Sequence, residues 1–113
     1  MEAKTELRDG AVILEVTGEI DSYTAPLLDE HLDEAFAQAK EGGHVVVLDM
    51  SGISFLASSG LSVLVDHHLR GADRGTALRI VTRPGSALRA LRATTLNELL
   101  QLYASVPEAL GVR

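Results

Sequence analysis

The chain has 113 residues, a formal net charge of −6 and an apolar share of 46%, which suits one domain with a single packed core. Cysteine is absent, so a disulfide framework, a thiol nucleophile and a cysteine-built zinc site are excluded, in keeping with a reducing, cytoplasmic setting. The acidic balance argues against a nucleic-acid partner, and neither a signal peptide in MEAKTELRDG nor a membrane-spanning run of about 20 apolar residues is present.

In chain order, Lys4 to Arg8 and Ala11 to Glu19 read as two strands joined at Asp9-Gly10, a dipeptide that favours a tight hairpin. Val12, Leu14 and Val16 alternate with Ile13, Glu15 and Thr17, the pattern of an edge or near-edge strand. Leu28, Leu32, Ala35, Phe36 and Ala39 then recur at helical spacing up to Gly42-Gly43. Val45 to Leu48 is an unbroken apolar run, as expected of a central strand covered on both faces.

After it the sequence predicts a polar turn, in which Asp49, Ser51 and Gly52 serve as turn residues. A second helix follows from Ser59 to Arg74, with Leu61, Leu64, Val65, Leu69 and Ala72 on its inner stripe and Val63 and Asp66 pointing away. Leu78 to Thr82 reads as a strand, and Pro84 marks the start of a third helix, with Ala87, Leu88 and Leu91 facing inward up to Thr94-Thr95. Leu102 to Ser105 reads as a short strand and Val106 to Leu110 as a helical cap. A hairpin followed by alternating helices and strands implies an α/β fold: a mixed sheet of about four to five strands with helices mainly on one face, forming one domain over residues 1–113.

The junction between the central strand and the second helix is the most informative segment. Ser58 and Ser59 stand where a helix begins, and there the backbone N–H groups favour negative charge, so a phosphate added at this point is held by the fold. Serines at helix starts are most often N-caps, a role that suits Ser59, and Asp21-Ser22 before the first helix is likewise a capping pair.

The segment DMSGISFLASSGL, Asp49 to Leu61, together with GEIDSYTA, Gly18 to Ala25, resembles the STAS domains and most closely the bacterial anti-sigma factor antagonists. The resemblance covers essentially the whole chain. It implies that Ser58 is the residue phosphorylated by a partner that is both anti-sigma factor and serine kinase, and that a phosphatase reverses the change. The unmodified form binds the anti-sigma factor and frees sigma, whereas the phosphorylated form does not. Asp21 matches an acidic residue of the family's partner-binding surface, which on this chain comprises Asp21, Ser54, Ala57, Ser58, Ser59, Gly60 and Val63. Ala57 is a departure, because many members carry an acidic residue there.

Other chemistries find little support. No Gly-x-Ser-x-Gly mark surrounds Ser58, and no glycine-rich nucleotide loop is present, so neither an enzyme nor a cofactor is expected. His67 and His68 are adjacent and point about 100° apart on a helix, which precludes chelation by the pair. His68 falls within the apolar stripe, and His31 and His44 have no clustered partners. Arg79, Arg83, Arg89 and Arg92 decorate solvated faces. The alternative reading is a non-phosphorylated STAS adaptor, for example a subunit attached to a membrane transporter.

Overall fold

The computed structural model describes residues 1–42 and 45–111, and for residues 40–42 the backbone alone. Gly43 and His44, where the sequence places a helix end and an isolated histidine, lie outside the described residues. The chain opens with a hairpin of β1 (Glu2–Arg8) and β2 (Ala11–Ile20), paired antiparallel. Its turn residues Asp9 and Gly10 take φ of 53° and 77°, and positive values at both central positions match the right-handed twist of the strands they join.

Beyond the hairpin every crossover is helical and every new strand is parallel. α1 (Ala25–Gly42) leads to β3 (Val45–Leu56), α2 (Ser58–Arg74) to β4 (Ala77–Val81), and α3 (Ser86–Ala93) with a 3₁₀ turn (Leu96–Glu98) to β5 (Gln101–Tyr103). A one-turn helix, α4 (Val106–Ala109), ends the described fold. The five strands lie in the order β1-β2-β3-β4-β5, so β3 is central as its apolar run requires.

The two faces of the sheet are covered unequally. Val12, Leu14, Val16, Val46, Leu48, Met50, Leu78 and Ile80 form the main core with Leu28, Leu32 and Phe36 of α1, Leu61 and Leu64 of α2 and Leu91 of α3. On the opposite face Ala11, Ile13, Val47 and Val81 meet Ala109 of α4. Helices therefore cover mainly one face. Arg79, expected on a solvated face, instead reaches across this second face, where its Nη1 donates to the Ala109 carbonyl at 2.7 Å.

Two further sequence expectations are corrected. The segment after Leu48 is not a turn, because β3 continues to Leu56 by pairing with the far half of β2: Thr17 faces Gly52, Gly18 faces Ile53, Glu19 faces Phe55 and Ile20 faces Leu56. Register shifts between Glu15 and Thr17 and between Gly18 and Glu19 absorb the irregular residues, as β-bulges do. Asp49 caps its own irregularity, accepting from the Ser51 N–H at 3.0 Å and the Ser51 hydroxyl at 2.7 Å.

The second correction is the phase of α2. Its buried residues are Gly60, Leu61, Leu64, His67 and Gly71, while Leu69 is 51% exposed, Ala72 is exposed and Val65 is half-buried. His67, not His68, is the packed histidine. Two glycines mark the true inner row, since a helix lies closest to its neighbours where a side chain is missing.

A Cβ on Gly60 would stand 2.5 Å from Ile20 Cγ2 and 2.7 Å from Leu56 Cδ1. The Ile20 methyl branches at Cβ and yields little. Gly60→Ala is expected to destabilise the fold by about 1–3 kcal/mol despite the better helix propensity of alanine, as overpacking outweighs propensity; chemical denaturation checks this.

Candidate functional site

A single hydrogen bond assembles the site. The Ala57 N–H donates to the Ile20 carbonyl at 2.8 Å, continuing the β2–β3 ladder by one residue and setting the Asp21 loop beside the start of α2. Ala57 is the only residue between β3 and α2. Its backbone is extended, with φ −81° and ψ 166°, and its carbonyl accepts from the N–H groups of Gly60 and Leu61.

No side chain caps this helix. Ser59, expected to do so, instead holds its Oγ buried without a hydrogen-bond partner among the described residues. The N–H groups of Ser58 and Ser59 likewise have no acceptor among the described residues. Ser58 is the first residue of α2 and is exposed. Its hydroxyl thus stands in solvent at the end of a helix where uncompensated donors and the peptide dipoles favour an anion.

Asp21 organises the neighbouring loop. Its Oδ1 accepts from the Tyr23 N–H at 2.9 Å and the Thr24 N–H at 3.0 Å, and its own N–H donates to Thr24 Oγ1 at 2.8 Å. These bonds form a reciprocal cap on the approach to α1. The Thr24 N–H, more than any other group, holds the Asp21 carboxyl below its ordinary value, with the Tyr23 N–H and the Thr24 hydroxyl adding to the effect against partial burial.

Ser54 is exposed near the end of β3. Its hydroxyl donates to the Gly18 carbonyl at 3.2 Å, and its carbonyl accepts from the Ser86 hydroxyl at the start of α3. It therefore ties β2, β3 and α3 together at one rim of the sheet. Gly60 is buried beneath this rim and acts through close packing.

The exposed residues Ser58, Ser62 and Asp66 follow at four-residue spacing along α2 and form a ridge between two shallow grooves. The groove towards α1 has a volume of about 410 Å³ and is lined by Ser22, Ala25, Pro26, Ser59 and Val63 among others. Val63 is half-buried there against the core, and does not point freely into solvent. The groove towards α3 measures about 540 Å³ and is lined by Ser58, Leu61, Val65, Leu69, Thr94 and Leu96. All seven residues expected at the site gather at this end of α2 and the adjoining segments, six of them exposed or half-buried and Gly60 buried.

Below the ridge lies a charged cluster that the sequence does not announce. The fully buried His67 stacks on Phe36, with ring centroids 5.6 Å apart, and its Nε2 lies 2.7 Å from Asp29 Oδ1. Arg70 reaches Asp66 at 2.7 Å, Asp33 at 3.4 Å and Asp29 at 3.7 Å. Asp29, Asp33 and His67 bring ligand atoms within 4.8 Å of one another, a geometry open to a metal ion, but the Arg70 guanidinium already supplies the positive charge between the carboxylates. The arrangement is an ionic clamp between α1 and α2. Burial works against the Arg70 charge, yet the Asp66 hydrogen bond and the surrounding carboxylates raise its pKa further above the ordinary value.

Residues 2–109 match the family described as the STAS domain. The chain belongs to the STAS domain family. It is 29% identical over 106 residues to RsfB, an anti-sigma-F factor antagonist of Mycobacterium tuberculosis, covering 93% of this chain and 84% of that protein. The crystal structure of an anti-sigma factor antagonist from Mycobacterium paratuberculosis superposes with a TM-score of 0.86 at 29% identity, covering 97% of this chain and 91% of the other. A sulfate transporter family protein from Wolinella succinogenes shares the STAS fold, with a TM-score of 0.76 at 22% identity over 94% and 86% of the two chains. No helix among the described residues is long and apolar enough to cross a membrane.

The Asp21 cap carries a signed pH dependence. A carboxyl whose pKa is lowered on folding stabilises the protein above its unfolded value, near 3.8, and loses that contribution as pH falls through the folded value. Asp21→Asn keeps an acceptor but removes the titration, so the difference in Tm between the wild type and this variant should shrink as pH falls from 7 to below 3.8; thermal melts across that range check it.

Proposed function

We propose that this STAS domain is an anti-sigma factor antagonist. Its unmodified form docks on an anti-sigma factor through the α2 ridge, the flanking grooves and the Asp21 loop, and so frees a sigma factor for transcription. The anti-sigma factor is also a serine kinase that phosphorylates Ser58, which ends binding, and a phosphatase restores it. The protein works in the cytoplasm as a binding module and catalyses nothing itself.

The observation that carries this reading is the exposed Ser58 hydroxyl on the first residue of α2, beside N–H donors without acceptors. Phosphorylation adds roughly −1.5 to −2 charges at neutral pH. The helix terminus accommodates that charge, so the fold survives while the ridge changes both shape and sign balance beside Asp66 and Asp21. A loss of about 1.4 kcal/mol in the complex already weakens binding tenfold.

Ala57 takes the place of the acidic residue that many relatives carry before the serine. It leaves the acceptor hydroxyl intact, and kinase recognition then rests on the surrounding surface. The named relatives favour this reading over a transporter-attached adaptor, because the likeness to the transporter family protein lies in the fold.

Incubation with the cognate kinase and ATP should add one phosphate, seen by intact mass, and the addition should vanish in Ser58→Ala. Ser58→Asp should weaken anti-sigma binding at least about tenfold in calorimetry while leaving Tm nearly unchanged, as for other exposed substitutions. Absence of any phosphate, together with binding to a transport subunit, would establish the adaptor reading instead.

A further inference from the structure

The outer edge of β1 is unpaired: its sole sheet neighbour among the described residues is β2. Six of its seven residues are exposed, and Leu7 is 63% exposed. The opposite edge, β5, has three residues, the short form by which sheets ordinarily blunt an edge. β1 is long, and a long edge strand offers its free N–H and C=O groups to another strand.

The order of side chains on β1 singles out one partner. Opposite β2, Glu2 faces Thr17, Lys4 faces Glu15, Glu6 faces Ile13 and Arg8 faces Ala11, so the four charged residues share one face of the sheet. Ala3, Thr5 and Leu7 share the other face with the core residues Val16, Leu14 and Val12. When a second β1 is laid antiparallel with Thr5 opposite Thr5, Glu2 meets Arg8, Lys4 meets Glu6, and each pair recurs through the two-fold axis. Ala3 then meets Leu7 on the helical face.

Among antiparallel registers that overlap by five residues or more, this one alone sets unlike charges opposite one another throughout. A slip of two residues one way puts Lys4 opposite Lys4 and Glu2 opposite Glu6. A slip the other way puts Glu6 opposite Glu6 and Lys4 opposite Arg8. Directly opposed like charges are unfavourable and opposite charges favourable across strands, while a slip of one residue sets the apolar row against the charged one.

The geometry points to an interaction surface for a second copy of this chain: the two β1 edges join antiparallel about Thr5 into one continuous ten-stranded sheet. The contact is isologous. The present ion pairs of these residues are exposed ones, Lys4 with Glu15 at 3.4 Å and Glu6 with Arg8 at 4.0 Å, and such pairs yield readily to new partners. The interface is a single strand wide, so association is reversible and concentration-dependent. None of the residues lining the grooves beside α2 belongs to β1, and the dimer therefore displays two free docking ridges.

Sedimentation velocity of the full chain from about 10 μM to about 1 mM, the range suited to a small transient interface, should show a monomer shifting to a dimer. Glu6→Lys opposes two pairs of like charges and lies across from uncharged Ile13 within its own chain, so it should weaken dimerisation by about tenfold or more without lowering Tm appreciably. Lys4→Glu should do the same, with some loss of Tm from its position beside Glu15. Mixing the two single variants should restore association as a heterodimer, and the double variant Lys4→Glu, Glu6→Lys should restore the homodimer. A wild type that stays monomeric throughout, a dimer that Glu6→Lys leaves intact, or single variants that fail to combine on mixing would each overturn the proposal. None of these outcomes bears on phosphorylation of Ser58, so the two readings stand or fall separately.

Discussion

The bond from the Ala57 N–H to the Ile20 carbonyl is the constraint on which the site depends. It is the last rung of a parallel ladder, and it falls where both strands give way to helices. Parallel strands end together on one side of a sheet, so the chain leaving β2 towards α1 and the chain leaving β3 towards α2 emerge side by side. Asp21 on one and Ser58 on the other are neighbours for that reason, although they lie 37 positions apart in the sequence. The extra residues of β3, at Met50–Ser51 and Ser54, set the register that lets this final rung form.

Rigidity around that rung comes from two unlike sources. Gly60 brings the first turn of α2 against Ile20 and Leu56, so the helix start is held by close contact. Farther along, the Asp29–His67–Arg70–Asp66 clamp holds α2 to α1 on the groove side of the ridge. Beside these anchors Ser58 and Ser62 stand in solvent on a frame that does not need their side chains for stability. Separating the groups that hold the helix from the groups it displays allows a large change of charge at Ser58 without loss of the fold.

Much of this was legible in the sequence because the signals are local. The Asp9-Gly10 turn, the alternation in Val12, Leu14 and Val16, and the unbroken Val45 to Leu48 run each report one element, and the helix-start serines report where α2 begins. What was illegible depends on partners remote in sequence. The stretch from Asp49 to Phe55 reads as a turn by composition, yet it is a strand because β2 supplies a ladder for it. The phase of α2 is hidden because Leu69 and Val65 count heavily in any apolar pattern while Gly60 and Gly71 count for nothing, though the glycines are points of close approach. Asp29, Asp33, His67 and Arg70 belong to two helices whose spacing no local pattern encodes.

The sheet also has a heavy wall and a light one. Three helices press on one side; on the other, a single turn of four residues covers Val47 and Val81, held by the Ser105 cap and the Arg79 bond to Ala109. Local opening favours thinly covered elements, so lifting of this four-residue turn uncovers the centre of the parallel sheet from one side while the α2 ridge keeps its shape. Amide exchange on that side is thereby kept apart from the ridge proposed for recognition.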